Sequence, residues 1–479
     1  MSTARRLFKN TFVLILANAL QPVLSLFVFI YMSKIVGVDG IGQYSTILKY
    51  VATFQIIAAF GLRSLLTREI AQKKDMTQKL LIAGSVLSLF VALFCAVAMS
   101  LLVSSLSNDA VVLQGAMIAL FSLFASALID TYEGAISGHE KLSHIGYASI
   151  LETFVRVVVS ILLLINGFGV IALTVIHVLA RYSKCAYYFV YIQRSMARPY
   201  GRINWADVLE MLKKGWVFAL IVACVAIYWN TDSIMIEALR DIKEAGYYGV
   251  AYRLFAPSLF VVDSFVNSLF PVISNVFQKS LDEFQKISRM ALRFMCMATV
   301  PIAIAISGRA DEIIAFLFDA DFAESTQVLQ ILIWCLIPYG ISQVLAYVLV
   351  ASNNQKRDLV VNALSMASNI ILNLLLIPVW GYLGATLATL ISINLYVLYQ
   401  LPLIYRKLLT FNFKGMTASL LHLAVAGILM RLLMDTMAET HFLIVIPFAC
   451  IIYGISLFAT GAFTHEDKQF FKSVMKRRT

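Results

Sequence analysis

Apolar runs of bilayer length recur along the whole chain, and nothing else in the sequence constrains the fold as strongly. Fourteen runs, from 11–36 to 442–462, are each long enough to cross a hydrocarbon core, which takes about 20 helical residues. In lipid every backbone N–H and C=O must be satisfied within its own segment, so such runs form helices. The residues between the runs test the count. With the N-terminus cytoplasmic and each run reversing the side, 28 Lys and Arg fall on the cytoplasmic face and four (Lys34, Arg240, Lys243, Arg309) on the other. The other six (Lys49, Arg156, Arg181, Lys184, Arg253, Arg431) lie inside runs. That asymmetry obeys the positive-inside rule, and one missed or surplus helix in mid-chain would invert every later loop. The expected architecture is an all-α integral membrane protein of about fourteen transmembrane helices, multi-pass in the plasma membrane with both termini cytoplasmic. The first run is too long for a signal-peptide core and has no small-residue cleavage site, so it is expected to be retained.

Composition removes several function classes. Hydrophobic residues make up 60% of the chain and charged ones 14%, which excludes a soluble globular domain. The net charge of +11 sits beside the runs, where anionic lipid attracts it, so membrane lipids and not nucleic acid are the partners it implies. All six cysteines fall within runs without a CxxC pair and read as small packing residues, with no metal site. There is no HExxH, P-loop or nucleophile elbow. No cofactor is expected and no enzyme activity. The longest external segment runs only from Gly308 to Ser325, too short for the catalytic groups of a membrane glycosyltransferase, polymerase or ligase.

The chain also repeats itself. GQYSTILKY (Gly42–Tyr50) matches GYYGVAYRL (Gly246–Leu254) at an offset of 204, pairing Gly42 with Gly246, Tyr44 with Tyr248 and Lys49 with Arg253. SGHEKLSH from Ser137 matches SNNQKRDL from Ser352, with Lys141 on Lys356 at an offset of 215; GFGVIAL from Gly167 matches GYLGATL from Gly381. Each half therefore holds six helices. The expected organisation is an N-terminal six-helix lobe (1–192), a cytoplasmic linker (193–214), a C-terminal six-helix lobe (215–407), and an added helix pair with a basic tail (408–479). Within the linker, Trp205–Lys214 is expected to form a short amphipathic helix on the membrane surface. Repeats of this kind in transporters place the substrate between the halves.

A cation inside a membrane helix costs roughly 2.5–3.5 kcal/mol at the bilayer centre. Lys49 and Arg253 carry that cost at equivalent places in both halves, which points to a central cavity for something negative. Snorkelling to the outer headgroups is the competing account. Asp232 and Asp263, in runs seven and eight, are either counter-ions to such cations or carriers of a coupling proton or sodium ion. Glu152 and Arg156, one turn apart, are expected to pair with each other. Arg181 and Lys184 are expected to snorkel inward, or else to form a basic entry vestibule. Arg63 and Arg68 read as topology anchors. Gln21 and Pro22 interrupt the first run and mark a hinge or a static kink. His177 and His422 read as packing residues, and Asn362, Asn369 and Asn373 as one face of interhelical amides.

Lys9–Ala71, with "IVGVDGIGQYS" and "FGLRSLLTREIA", resembles the opening of the polysaccharide transporter (oligosaccharide flippase) family of the multidrug/oligosaccharidyl-lipid/polysaccharide exporter superfamily. Ala135–Arg156 and Asn369–Ser392 are similar to it as well, and the likeness runs to about Arg406. The resemblance implies two six-helix lobes in a V, a cavity lined by helices 1, 2, 7 and 8, and alternating access. It also implies transport of a polyprenyl-diphosphate-linked oligosaccharide to the outer leaflet for surface polysaccharide or lipopolysaccharide biosynthesis. Lys49, Arg253, Arg156 and Arg181 would then hold the substrate, Asp232 and Asp263 would couple an ion, and a polymerase or glycosyltransferases of the pathway would be partners. A drug or metabolite exporter of the same superfamily is the first alternative, and a membrane glycan polymerase or ligase the second.

Overall fold

The structure is a computed structural model and describes residues 3–196, 198, 200–405, 408–410 and 413–463. Its elements are α1 (Thr3–Ala58), α2 (Leu62–Gln72), α3 (Thr77–Leu106), α4 (Ala110–Ala119), α5 (Phe121–Gly138), α6 (Ser143–Ile165), α7 (Val170–Ser195) and α8 (Trp205–Leu239). They continue with α9 (Ile242–Phe277), α10 (Leu281–Gly308), α11 (Ala310–Leu317), α12 (Ser325–Leu332), α13 (Leu336–Ala351), α14 (Gln355–Ile404), α15 (Phe413–Thr436) and α16 (Phe442–Ala459).

Eleven helical segments are long and apolar enough to span a bilayer. Two of them carry two spans each. α1 leaves helical geometry at Gly37 (φ 65°) and α14 at Gly381 (φ 56°), left-handed positions that only glycine takes without cost. α7, 26 residues long, falls outside the eleven and carries His177, Arg181 and Lys184 along its middle. Counted this way, the described helices supply the fourteen spans read from the sequence. The amphipathic stretch from Trp205 is not a separate surface helix: Asn204 caps it, Oδ1 accepting from the Ala206 N–H at 3.2 Å, and α8 then runs unbroken to Leu239. With no Pro or Gly-rich interruption after Trp205, nothing stops the helix.

The second repeat needs a correction of register. After α5, Lys141 N–H bonds to Ile136 O (3.0 Å) and Glu140 N–H to Ser137 O (2.9 Å); after α13, Asn354 N–H bonds to Leu349 O (2.8 Å) and Asn353 N–H to Val350 O (3.1 Å). Both are Schellman turns, with Glu140 and Asn353 in the left-handed conformation. The equivalent residues are thus 213 apart, and the Lys141–Lys356 match at 215 is a surface coincidence. The first repeat holds as read. A Cβ on Gly42 would meet Ile242 O at 2.0 Å, and one on Gly246 would meet Val38 O at 2.4 Å. Val38 and Ile242 are themselves 204 apart, so the contact is two-fold symmetric in sequence.

Packing separates two units: the chain through Gly249 with Asn373–Tyr382, and Val250–Leu372 with the chain from Leu383. The first has two apolar cores. One surrounds Leu66, Tyr132, Tyr188 and Met211, the other Ile47, Tyr50, Met99 and Leu123. In the second unit α15 and α16 pack on α10 around Met430, Val445 and Tyr453. Arg309, 6% exposed, ties this pair down. It donates to the carbonyls of Met434 (2.5 Å), Met437 (2.9 Å) and Ala438 (3.1 Å) at the end of α15 and pairs with Glu312. The Gly308–Ser325 segment is not a plain loop; α11 occupies its first half.

Candidate transport site

In the first unit the polar groups converge on one stretch of α8, Trp229–Ser233. Asn230 Nδ2 donates to Ala226 O (2.8 Å) and Thr231 Oγ1 to Ile227 O (2.6 Å), which turns both side chains back along the helix. Lys49, half-buried on α1, donates from Nζ to the Trp229 carbonyl at 3.1 Å. Asp232, 3% exposed, accepts from Tyr248 OH and from Asn373 Nδ2, both at 2.7 Å. Tyr248 is the repeat partner of Tyr44. The amide series on α14 does bridge helices as expected, but Asn373 reaches a carboxylate, a role its spacing alone did not disclose.

A second constellation links α2, α5, α6 and α7. Glu133 pairs with Arg63 (2.8 Å) and Lys184 (3.1 Å) and accepts from Tyr188 OH (2.8 Å). Lys184 also stands 3.5 Å from Glu152, and Glu152 3.4 Å from Arg181. The charges alternate Arg63, Glu133, Lys184, Glu152, Arg181, with only Arg63 substantially exposed. The expected Glu152–Arg156 pair does not form. Glu152 turns to the two cations of α7, and Arg156 donates to Ser25 Oγ at 3.1 Å. Arg181 and Lys184 do not snorkel, because buried carboxylates meet them within the helix layer. Arg63 is an ion-pair member, not only an anchor. Glu133 escaped the sequence reading; its signal was the Asp130–Glu133 pair, three residues apart on an otherwise apolar helix. His177 is 7% exposed and its Nε2 has no hydrogen-bond partner.

In the second unit Asp263 accepts from Tyr339 OH at 2.7 Å, and Asn267 Oδ1 from Tyr347 OH at 2.9 Å. Arg253 is half-buried nearly three turns before Asp263 on α9. Gln21 is half-buried and Pro22 exposed, and the backbone stays helical through both, bending out of the helix only at Gly37. The arrangement can do two things chemically. Buried guanidinium and ammonium groups can bind oxyanions through charge-assisted hydrogen bonds, and carboxylates held by neutral donors can take up a proton or a cation.

A family model described as polysaccharide biosynthesis protein matches residues 7–277, and one described as lipid II flippase MurJ matches 244–453. A Haloferax volcanii protein named probable flippase AglR is 24% identical over 204 residues, 41% of this chain and 39% of that one, so the chain spans well under half of that relative. The solved inward closed conformation of the lipid II flippase MurJ superposes with a TM-score of 0.77 at 18% identity, covering 93% of this chain and 98% of that one. An inward-facing multidrug resistance MATE family transporter of the MOP superfamily reaches 0.67 at 13% identity, covering 80% and 94%. At these identities the likeness is one of fold.

Proposed function

The chain belongs to the polysaccharide biosynthesis protein family, and from that premise we propose that it is a flippase for a lipid-linked oligosaccharide in the inner membrane. It carries the polar head from the cytoplasmic to the outer leaflet by alternating access while the lipid tail stays in the bilayer. The observation that carries the reading is the repeated intramembrane cation, Lys49 and Arg253, 204 residues apart in a chain of this fold. These two hold the diphosphate of the head group, with Arg156 and Arg181 contributing further positive charge. Asp232 and Asp263 carry the coupling ion. The lobe boundaries at 192 and 215, cytoplasmic termini, and cooperation with glycosyltransferases or a polymerase complete the proposal.

The test is flipping in vesicles. Purified protein is reconstituted with a fluorescent polyprenyl-diphosphate oligosaccharide, and the fraction that reaches the protected leaflet is measured. Lys49→Ala and Arg253→Ala should each slow flipping at unchanged protein level, and Lys49→Arg should be milder than Lys49→Ala because the charge persists. Full activity in the double alanine variant would refute the cation-site reading. Preferential movement of a cationic drug over the glycolipid would favour the exporter alternative.

A further inference from the structure

The second unit buries a carboxylate that the proposed mechanism does not use. Asp358, in the first turn of α14, is 5% exposed and its Oδ1 has no hydrogen-bond partner. Among the described residues no cation pairs with it. Its neighbours Lys356 and Arg357 are exposed. A buried carboxylate without a counter-ion is costly unless something compensates its charge.

What faces Asp358 follows from the register of α14, which folds back at Gly381. Tyr396 OH donates to Asn362 Oδ1 at 3.2 Å, and Asn369 Nδ2 to Ser392 Oγ at 3.3 Å, so the two halves pair antiparallel. One turn inward from Asn362 is Asp358; one turn inward from Tyr396 is Gln400. Gln400 is fully buried, and its Nε2 donates to Ser342 O at 3.1 Å on α13, which leaves Oε1 without a partner. Turning the amide round would set its oxygen against the Ser342 carbonyl, so the orientation is determined by chemistry. Ser365, two turns outward on the face of Asp358, is also buried with its hydroxyl unpartnered. Two orphan acceptor oxygens, one of them on a carboxyl, thus lie at one level on facing helices, and what both lack is positive charge.

We propose that Asp358 and Gln400 form a site for a monovalent cation, a proton or an alkali-metal ion, bound between Oδ1 of the one and Oε1 of the other. A proton on Asp358 satisfies both oxygens by donating to the amide carbonyl; a sodium ion satisfies them by coordination to both. The titratable group facing the site from the return half of α14 is Tyr396, on which Asp358 acts electrostatically; Tyr339 of α13 stands behind it. The site uses neither Asp232 nor Asp263. It concerns cation binding by the protein alone, so it stands or falls separately from the lipid-linked substrate.

The test uses the full chain in phosphatidylcholine nanodiscs with two probes. Radioactive sodium binding is measured at alkaline and acidic pH, and infrared difference spectra read the C=O stretch of a protonated buried carboxyl. If sodium is the occupant, Asp358→Asn should bind one ion fewer per chain, and Gln400→Leu should weaken that ion about tenfold. If the proton is the occupant, sodium binding is unchanged, and a protonated-carboxyl band of the wild type is missing from Asp358→Asn and shifted in Gln400→Leu. Should Asp358→Asn fail to fold, Gln400→Leu alone decides, since it leaves the carboxyl in place. Sodium binding and carboxyl bands identical to wild type in the variants would overturn the site.

Discussion

The buried ladder of charges in the first unit makes a quantitative prediction through Glu133. Its side chain is 5% exposed and meets Lys184 at 3.1 Å, Arg63 at 2.8 Å and Tyr188 OH at 2.8 Å. Removing one partner of a buried ion pair costs about 3–5 kcal/mol, because the other charge is left without compensation. Glu133→Gln should fall at the lower end, about 3 kcal/mol. Arg63 is half exposed and its share is that of a surface pair, roughly 0–1 kcal/mol. Lys184 keeps Glu152 at 3.5 Å. Lys184→Met should cost a similar amount, about 3 kcal/mol, because two carboxylates then share only the arginines at the ends of the ladder. The double variant removes a matched pair of charges, so its cost should stay near about 3 kcal/mol, a coupling of about 2–3 kcal/mol between the sites. Unfolding titrations in mixed micelles, followed by the tryptophans of α8, measure all four corners of the cycle. Single costs that add to within about 0.5 kcal/mol would show that the two residues do not act as a pair.

Three further outcomes are expected. Gly246→Ala sets a Cβ 2.4 Å from the Val38 carbonyl, so the helices must part and stability should fall by about 1–3 kcal/mol in a thermal assay, while Gly454→Ala, with open space, should change little. His139 lies outside the spans, in the turn after α5, where burial first, then Lys74 and Lys141, depress its proton affinity below the ordinary value of 6.5; its Nε2 lies 2.8 Å from Thr77 Oγ1. The unfolded chain binds that proton more readily, so the contribution is present above about pH 6.5 and is lost as pH falls through the lowered folded value; a wild-type stability profile over that window identical to that of His139→Gln would refute it. A membrane-impermeant thiol label on intact cells should reach cysteines placed at Asp241 and Ala323 but not at Lys74 or Gly201, and labelling of Gly201→Cys would break the topology.

The helices were legible because membrane insertion depends on quantities that a sequence carries directly, apolar run length and the side on which Lys and Arg collect. Gly37 and Gly381 carry a signal of a related kind, since only glycine occupies such left-handed turns freely. The charge ladder was not legible. Whether Glu152 bonds Arg156 on its own helix or Arg181 across the gap depends on the azimuth at which α6 meets α7, and the one-turn rule knows only its own helix. The turn register failed by two residues for the opposite reason. Lysines just past a helix end are freely placed, whereas the left-handed residue that ends the helix is not, so Glu140 and Asn353 mark the equivalence that Lys141 and Lys356 miss.

What the duplication kept and what it let go divides the polar groups into two kinds. Offset by 204, Lys49 falls on Arg253, Gly42 on Gly246, and Ser45 on Gly249, the last two touching each other in the structure. At the same offset Asp232 falls on Val28 and Asp263 on Ala59. In the second register, 213 apart, Glu133 falls on Ala346 and Asp358 on Ile145. The one cation pair Lys49 and Arg253 and the close-packed Gly42 and Gly246 are therefore common property of both halves, and every buried carboxylate belongs to one half alone. A group needed twice must serve something that both halves meet, which on the proposed reading is the anionic head group as it passes from one side to the other. A group needed once serves its own half. The Glu133–Glu152 ladder binds helices of the first unit into one body, while in the second unit Asp263 accepts from a neutral donor, Tyr339 OH, and Asp358 Oδ1 has no hydrogen-bond partner. Neutral donors leave a carboxylate free to gain and lose a positive charge; arginine and lysine do not. On the proposed reading the distinction between a strut and a coupling site follows the donors, arginine and lysine for Glu133 and Glu152, neutral groups for Asp232 and Asp263, and energy coupling is expected at the latter pair.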